Sequence, residues 1–268
     1  MYTTFIINLE KDSDRMQFMA DQMRALDMTY IRQEAVNGKT YQPTVSEYNE
    51  EIIKQKKLHL LLPGELGCAL SHKQTYEQIV ADDLPYALIL EDDVSLPPNF
   101  KQIIEDEINR NADQWEYLLF DYPTVGVPYI KKWLHSIIEN YHKIVPGRWL
   151  SRMHFIVYSF LKGLYIIPLS AFEGIRDHYK KQSPGPVLFY RPVYFAGAYL
   201  VSKTGVKKLL SLAHPIMYTA DQLPNRARIK SGLRFMCYAP RIVIQNKTIF
   251  GSSILDVAGK DMKCGYEK

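Results

Sequence analysis

The sequence predicts an α/β fold, a mixed and mostly parallel sheet flanked by helices, with a basic helical region inserted into it. Three observations predict it. Short apolar runs alternate with helix-periodic stretches from the amino terminus to about residue 120. One run, Tyr86–Leu90 (YALIL), is continuously apolar, as expected of a strand covered on both faces. The alternation stops near residue 123 and resumes near 195, around a basic, aromatic segment.

Taken in order, Thr3–Leu9 (TTFIINL) reads as a buried first strand because it is β-branched and aromatic. Asp12, Ser13 and Asp14 offer capping side chains, and Met16, Met19, Met23 and Leu26 recur at helical spacing. Thr29–Val36 reads as a second strand, closed by the turn pair Asn37-Gly38. The charged stretch to about Leu62 is helix-prone, and Pro63-Gly64 is expected to break it. Glu65–Val80 reads as a helix burying Ala69, Leu70, Tyr76 and Val80; Asp82 to Pro85 reads as a turn. Tyr86–Leu90 then runs straight into Glu91-Asp92-Asp93. A helix over 99–109 and a strand over Trp115–Phe120 follow. Ser183–Pro186 reads as a linker. Phe195–Ser202 is a further strand, and Thr204–Ala213 a helix with Val206, Leu209, Leu210 and Ala213 on one face. Leu233–Tyr238 and Ile242–Gln245 are short strands. The expected organisation is an α/β half over 1–122, the basic insertion over 123–190, and the rest of the α/β domain with a tail over 191–268.

Composition narrows the class. The 268 residues are 47% apolar and 23% charged, enough for a substantial core and unlike a disordered chain. The opening MYTTFIINLE lacks a basic segment followed by a long apolar one, so no secretory leader is expected. No stretch of 18 residues is apolar throughout, which speaks against a spanning helix. Cys68, Cys237 and Cys264 are far apart with no CxxC spacing. They read as two buried small hydrophobes and a tail thiol, in keeping with a reducing cytoplasm. The net charge of +4 hides an asymmetry: residues 129–181 carry nine Lys/Arg against three acids, leaving the remainder at −2. Such a segment suits an anionic partner, for example a phosphorylated glycolipid or the inner face of a membrane, or is a solvated face. Within it Met153–Leu169 is unusually apolar and reads either as a buried helical hairpin or as an interfacial helix. No nucleic-acid module is recognised, and none is expected as a partner. The P-loop and GxGxxG signatures are absent from the sequence.

The chemistry concentrates in LILEDD at 88–93. Three acids at the carboxyl end of a buried strand are costly unless something positive compensates them. Ligands of open α/β sheets bind just beyond the carboxyl ends of the strands. A divalent cation on carboxylate oxygens, clamping a diphosphate, meets both conditions. A polar turn with helix-capping acids is the plainer alternative, and a phosphatase or nucleotidyltransferase would use the same acids. Upstream, GELGCALSH (64–72) places small and polar residues at a helix start, where backbone N–H groups can receive an anion.

Together these elements resemble glycosyltransferase family 25, the bacterial lipopolysaccharide and lipooligosaccharide glycosyltransferases related to collagen galactosyltransferases. The resemblance is carried by INLEKDSDR (7–15), AVNG (35–38), GELGCALSH (64–72), YALILEDDV (86–94) and GAYLVSKTGVKKLL (197–210). It covers roughly 1–110 and 195–255.

The resemblance implies a GT-A-type fold, a UDP-galactose or UDP-glucose donor, a lipooligosaccharide core or other glycan acceptor, and inversion at the anomeric carbon. Glu91-Asp92-Asp93 then stands as the DxD motif for Mn²⁺ or Mg²⁺. Asp93 is the direct metal ligand, Glu91 contacts the metal through water or holds the ribose, and Asp92 orients the donor sugar. Asn8, Leu9, Arg15 and Asn37 fall near the nucleotide, with Gly67, Ser71 and His72 on the donor side. Gln245 completes the donor or metal site. An inverting displacement needs a base on the acceptor side. Asp221 is the leading candidate, with a helix cap as its alternative role, and Asp121 is the reserve.

Overall fold

The computed structural model describes residues 1–122, 183–189 and 192–246. Contacts divide the chain into two compact units, 1–122 with 186–268, and 123–185. Every element named below lies in the first, except that one strand begins at Gly185. The basic segment 129–181, its apolar run Met153–Leu169, and Cys264 lie outside the described residues.

The strands are β1 (Thr3–Asn8), β2 (Ile31–Glu34), β3 (Tyr86–Glu91), β4 (Val94–Ser95), β5 (Tyr117–Leu119), β6 (Gly185–Val187), β7 (Ala198–Ser202), β8 (Phe235–Ala239) and β9 (Ile244–Gln245). Seven form one sheet in the order β2-β1-β3-β7-β5-β8-β6, while β4 and β9 pair separately. β1 is parallel to β2 and β3, and β5 is parallel to β8. The expected mixed, mostly parallel sheet is therefore present. β7 runs antiparallel to both β3 and β5, a direction its apolar run does not encode, because burial on both faces looks the same either way. That reversal puts the amino end of β7 between the carboxyl ends of β3 and β5.

Side chains alternate along each strand, so every strand feeds two cores. Phe5, Ile7, Ala87, Ile89, Tyr117, Leu119, Tyr199 and Val201 face one layer. There they meet α3 (Pro63–Ala81) through Tyr76 and Ile79, α5 (Lys203–Leu210) through Val206 and Leu209, and α6 (Gln222–Lys230) through Leu223 and Ala227. Ile6, Leu88, Leu90, Leu118, Ala198 and Leu200 face the other. That layer holds Met19 and Met23 of α1 (Ser13–Ala25) and Phe100 and Ile104 of α4 (Phe100–Asn111).

Several local expectations are corrected. Pro63 does not break a helix; it opens α3, where its missing N–H and fixed φ suit the first turn. Glu65 reaches back to accept the Leu62 N–H at 2.8 Å. Of the charged stretch before it, Glu50–Gln55 is helical, as α2. β2 is shorter than expected and lies at the sheet edge, leaving Ile31 exposed. Part of the expected linker at 183–186 belongs to β6.

Asn225 ties α6 to the segment entering β7. Its side chain accepts from Val193 N–H at 3.0 Å and donates to Val193 C=O at 2.6 Å, copying a strand ladder. Asn225→Ala is expected to cost about 2–4 kcal/mol, because it strands two backbone groups in a buried setting. Urea denaturation of the variant measures this.

Candidate functional site

In the sheet order β2-β1-β3, the chain leaves β1 to one side and returns on the other, so β1 and β3 flank a topological switch point, where open α/β sheets bind ligands. Asn8 ends β1 and Glu91 ends β3. Asn8 Nδ2 donates to Asp92 Oδ2 at 2.8 Å, and Arg15, from the first turns of α1, donates to Asp92 Oδ1 at 3.1 Å. Arg32 Nε donates to Asn8 Oδ1 at 3.0 Å. Asn8, Arg15 and Asp92 are thus brought into one network. Burial pushes the Asp92 carboxyl up, against the pull of Asn8 and Arg15. Leu9 follows directly, its carbonyl accepting the Asp12 N–H at 3.0 Å.

The second group is built around β7. The Glu91 N–H donates to Gly197 C=O at 2.7 Å. The N–H groups of Gly197 and Ala198 donate to the two oxygens of Asp121, at 2.9 and 3.0 Å. Asp121 is 1% exposed, just past β5. A Cβ on Gly197 would lie 2.4 Å from Asp121 Oδ2 and 2.6 Å from Gln245 Nε2, so a side chain there would displace one or both of them. Gln245 donates to Glu91 Oε2 at 2.9 Å, held there by the pairing of β9 with β4. The Asn246 N–H donates to Asp93 C=O at 2.7 Å, closing the acid turn from the other side.

On the α3 side, His72 is 1% exposed, with Nδ1 2.7 Å from the Tyr199 hydroxyl. That hydroxyl is 2.9 Å from the Tyr76 hydroxyl. His72 Nε2 lies 3.5 Å from Glu91 Oε1. Cys68 is not the buried small hydrophobe expected; it is half-buried, with Sγ 3.9 Å from the same oxygen. Its spacing of four from His72 was the readable signal. Gly197 and Tyr199 lie in the GAYLVSKTGVKKLL motif, which assigned neither of them a role.

Gly67 and Ser71 are occupied elsewhere. The Ser71 hydroxyl accepts the Val36 N–H at 2.8 Å and donates to Gly67 C=O at 2.7 Å, which leaves it no hydrogen for a ligand. Gly67 packs against the backbone of Val36 and Gly38. Asn37 holds its own turn, accepting from Lys39 N–H at 3.1 Å. These residues fix the amino end of α3 against the loop after β2.

Asp221 stands at the N-cap position of α6, and its carboxylate makes no capping hydrogen bond to that helix. It accepts instead from the Thr219 hydroxyl. Burial pushes its pKa up, Thr219 pulls it down, and the charge of Glu91 raises it again. Burial raises Asp121 well above the ordinary carboxylate range, and Glu91 adds to this. Desolvation, then the charges of Glu91, Asp221 and Asp93, push the Cys68 thiol up. Glu91 is the charge common to all three groups. Among the described residues, no Lys or Arg is ion-paired to Glu91, Asp121 or Asp221. The hard carboxylate oxygens of Glu91 and Asp93, at the strand end, are of the kind a divalent cation takes.

The raised carboxyls set a pH dependence. A carboxyl whose folded pKa lies above its unfolded value destabilises the fold when both states are ionised, and that penalty lifts as pH falls through the folded value. The contribution of Asp92, Asp121 and Asp221 to stability therefore grows on acidification, opposite in sign to that of carboxyls held down by a cation, such as Glu116 beside Lys208. Asp121→Asn removes one such contribution, so the stability of the variant relative to the unaltered chain should fall as pH falls, as read from the two melting temperatures against pH.

A family model described as Glycosyltransferase family 25 (LPS biosynthesis protein) matches residues 1–224. Putative glycosyltransferase R655 of Acanthamoeba polyphaga mimivirus is 34% identical over 99 residues, 36% of this chain and 30% of that protein. Procollagen galactosyltransferase 2 of Mus musculus is 28% identical over 123 residues, 42% of this chain and 20% of that protein. A putative glycosyltransferase of Haemophilus influenzae is 26% identical over 101 residues, 38% of this chain and 36% of that protein. The chain therefore spans well under two thirds of each of these relatives. Among the described residues, no helix is long and apolar enough to cross a membrane.

Proposed function

We propose, from the premise that this chain belongs to glycosyltransferase family 25, that it moves galactose or glucose from a UDP-sugar to a lipooligosaccharide core or other glycan acceptor, with inversion at the anomeric carbon. The observation that carries the reading is the placing of Glu91 and the acid turn after it beyond the carboxyl end of β3, next to the β1/β3 switch point, with Gln245 on Glu91 and Asp121 holding Gly197 beside it. Such a site has the charge to hold a cation and the place in the sheet to hold a nucleotide.

Glu91 and Asp93 are the ligands proposed for Mn²⁺ or Mg²⁺, since they offer hard oxygens at the strand end. When bound, the cation supplies positive charge to the departing nucleoside diphosphate. Gln245 holds one oxygen of the Glu91 carboxylate, while the other faces His72 and Cys68. Asn8 and Arg15 fix Asp92, so the acid turn keeps its shape beside the nucleotide. Asp121 sets the start of β7 and so the spacing between Glu91 and the far wall. His72 borders the donor side through its contact with Glu91. Asp221 takes the proton of the acceptor hydroxyl as that oxygen bonds to the anomeric carbon and the bond to the diphosphate breaks. The basic 129–181 segment suits a phosphorylated glycolipid acceptor or a peripheral contact with the cytoplasmic face of the inner membrane.

Calorimetry of UDP with and without Mn²⁺, beside UDP release from a panel of UDP-hexoses, tests the reading. Asp93→Ala is expected to weaken Mn²⁺-dependent UDP binding by at least about ten-fold. Unchanged affinity would remove Asp93 from the metal site. Release of pyrophosphate with no sugar transferred would favour a nucleotidyltransferase.

A further inference from the structure

Cys68 and His72 are four residues apart on α3, so both project from one face of the helix. Glu91, at the end of β3, faces them. The Cys68 sulfur, a His72 ring nitrogen and a Glu91 oxygen all lie within 4.8 Å of one another. The His72 Nε2 to Glu91 Oε1 separation is 3.5 Å, and Cys68 Sγ to the same oxygen is 3.9 Å. A tetrahedral ion with bonds of about 2.0–2.3 Å to nitrogen, oxygen and sulfur sets its ligand atoms roughly 3.4–3.6 Å apart. The pair of His72 and Glu91 already has that spacing, and the sulfur needs only a small adjustment.

A second observation is independent of spacing. His72 is 1% exposed, and its Nε2 is buried without a hydrogen-bond partner while pointing at the carboxylate. Its other nitrogen is anchored by Tyr199, and Tyr199 in turn by Tyr76, the outer support that orients a ligating imidazole. Cys68 and Glu91 are each only partly buried as residues. Sulfur, imidazole nitrogen and one carboxylate oxygen form a softer set than Mn²⁺ or Mg²⁺ favours.

We propose that Cys68, His72 and Glu91 form a binding site for a borderline-soft divalent cation of the zinc class. Binding replaces the thiol proton of Cys68 by a sulfur–metal bond, releasing one proton to solvent for each ion, while His72 binds as the neutral ring. Glu91 belongs to this site and to the proposed donor-metal site, so the two ions compete; that consequence alone rests on the transfer reading.

Titration of the whole protein with Co²⁺, a spectroscopic stand-in for Zn²⁺, tests the site. One equivalent is expected to produce a thiolate-to-cobalt charge-transfer band and the strong visible bands of four-coordinate cobalt, both removed by Zn²⁺ and untouched by excess Mg²⁺. Cys68→Ser should abolish the charge-transfer band, and Glu91→Gln should weaken Zn²⁺ binding at least about ten-fold, measured against a chromophoric chelator. In the unaltered chain, Zn²⁺ should protect Cys68 from alkylation as mapped by mass spectrometry. A cobalt spectrum without a thiolate band, or alkylation of Cys68 undiminished by Zn²⁺, would overturn the proposal. None of these readouts involves a sugar nucleotide, so their failure is distinguishable from failure of the transfer reading.

Discussion

Asp221→Asn is expected to lower sugar transfer by roughly two to four orders of magnitude, the range for loss of a positioned base, with UDP binding nearly intact. The substitution keeps the side-chain shape and an oxygen that can still accept from the Thr219 hydroxyl, so the local fold is preserved. It removes only the ability to take a proton. Burial and the nearby charge of Glu91 raise the Asp221 pKa, which makes the ionised form a stronger base. The same shift means that the base is formed only above that raised value. Transfer should therefore rise with pH through the Asp221 titration, and this rising limb should disappear in the variant. Steady-state kinetics across pH, beside UDP calorimetry, separates loss of the base from loss of the donor. Turnover at the unaltered rate would eliminate Asp221 and leave Asp121 to be tested. Asp121 is less suited, because both of its oxygens already accept backbone N–H groups.

Gly38→Ala is expected to cost about 3 kcal/mol or more of stability and to remove most activity. A Cβ at Gly38 would stand 1.7 Å from the Pro63 carbonyl oxygen and 2.9 Å from the Gly67 nitrogen. Both are backbone atoms, so no rotamer change relieves the clash; the amino end of α3 must move. The reciprocal change meets the same obstacle, since a Cβ on Gly67 would lie 2.5 Å from Val36 C=O and 2.6 Å from the Gly38 nitrogen. Moving this end of α3 also disturbs the placing of Cys68 and His72 against Glu91. Denaturation midpoints at the unaltered value in either variant would refute the interlock.

The sheet and its helices were legible because burial imposes a period on the sequence. YALIL, TTFIINL and the methionines of α1 announce their elements by pattern alone. Glu91-Asp92-Asp93 was legible for a related reason: acids directly after a buried strand have few plain explanations. The direction of β7 was not, since a two-faced apolar strand reads identically both ways. Nor was the split within the triplet, where Asp92 turns to Asn8 and Arg15 while Glu91 turns to Gln245 and His72. Gly67 and Ser71 looked like an anion cradle at a helix start. They pack α3 against the loop after β2, a use that depends on a partner segment some thirty residues upstream.

By itself, then, the sequence determined the α/β class, the family and the strand end where the acids collect, because each rests on local composition and short spacing. Only the tertiary structure decided which of those acids share a region with Asp121 and Asp221, and that Cys68 and His72 face Glu91. The first depends in part on the reversed β7, whose amino end brings Glu91 and Asp121 to either side of Gly197, and the second on the packing of α3 over β3. Long-range strand pairing of this kind leaves no period in the chain, and so it is decided by packing alone.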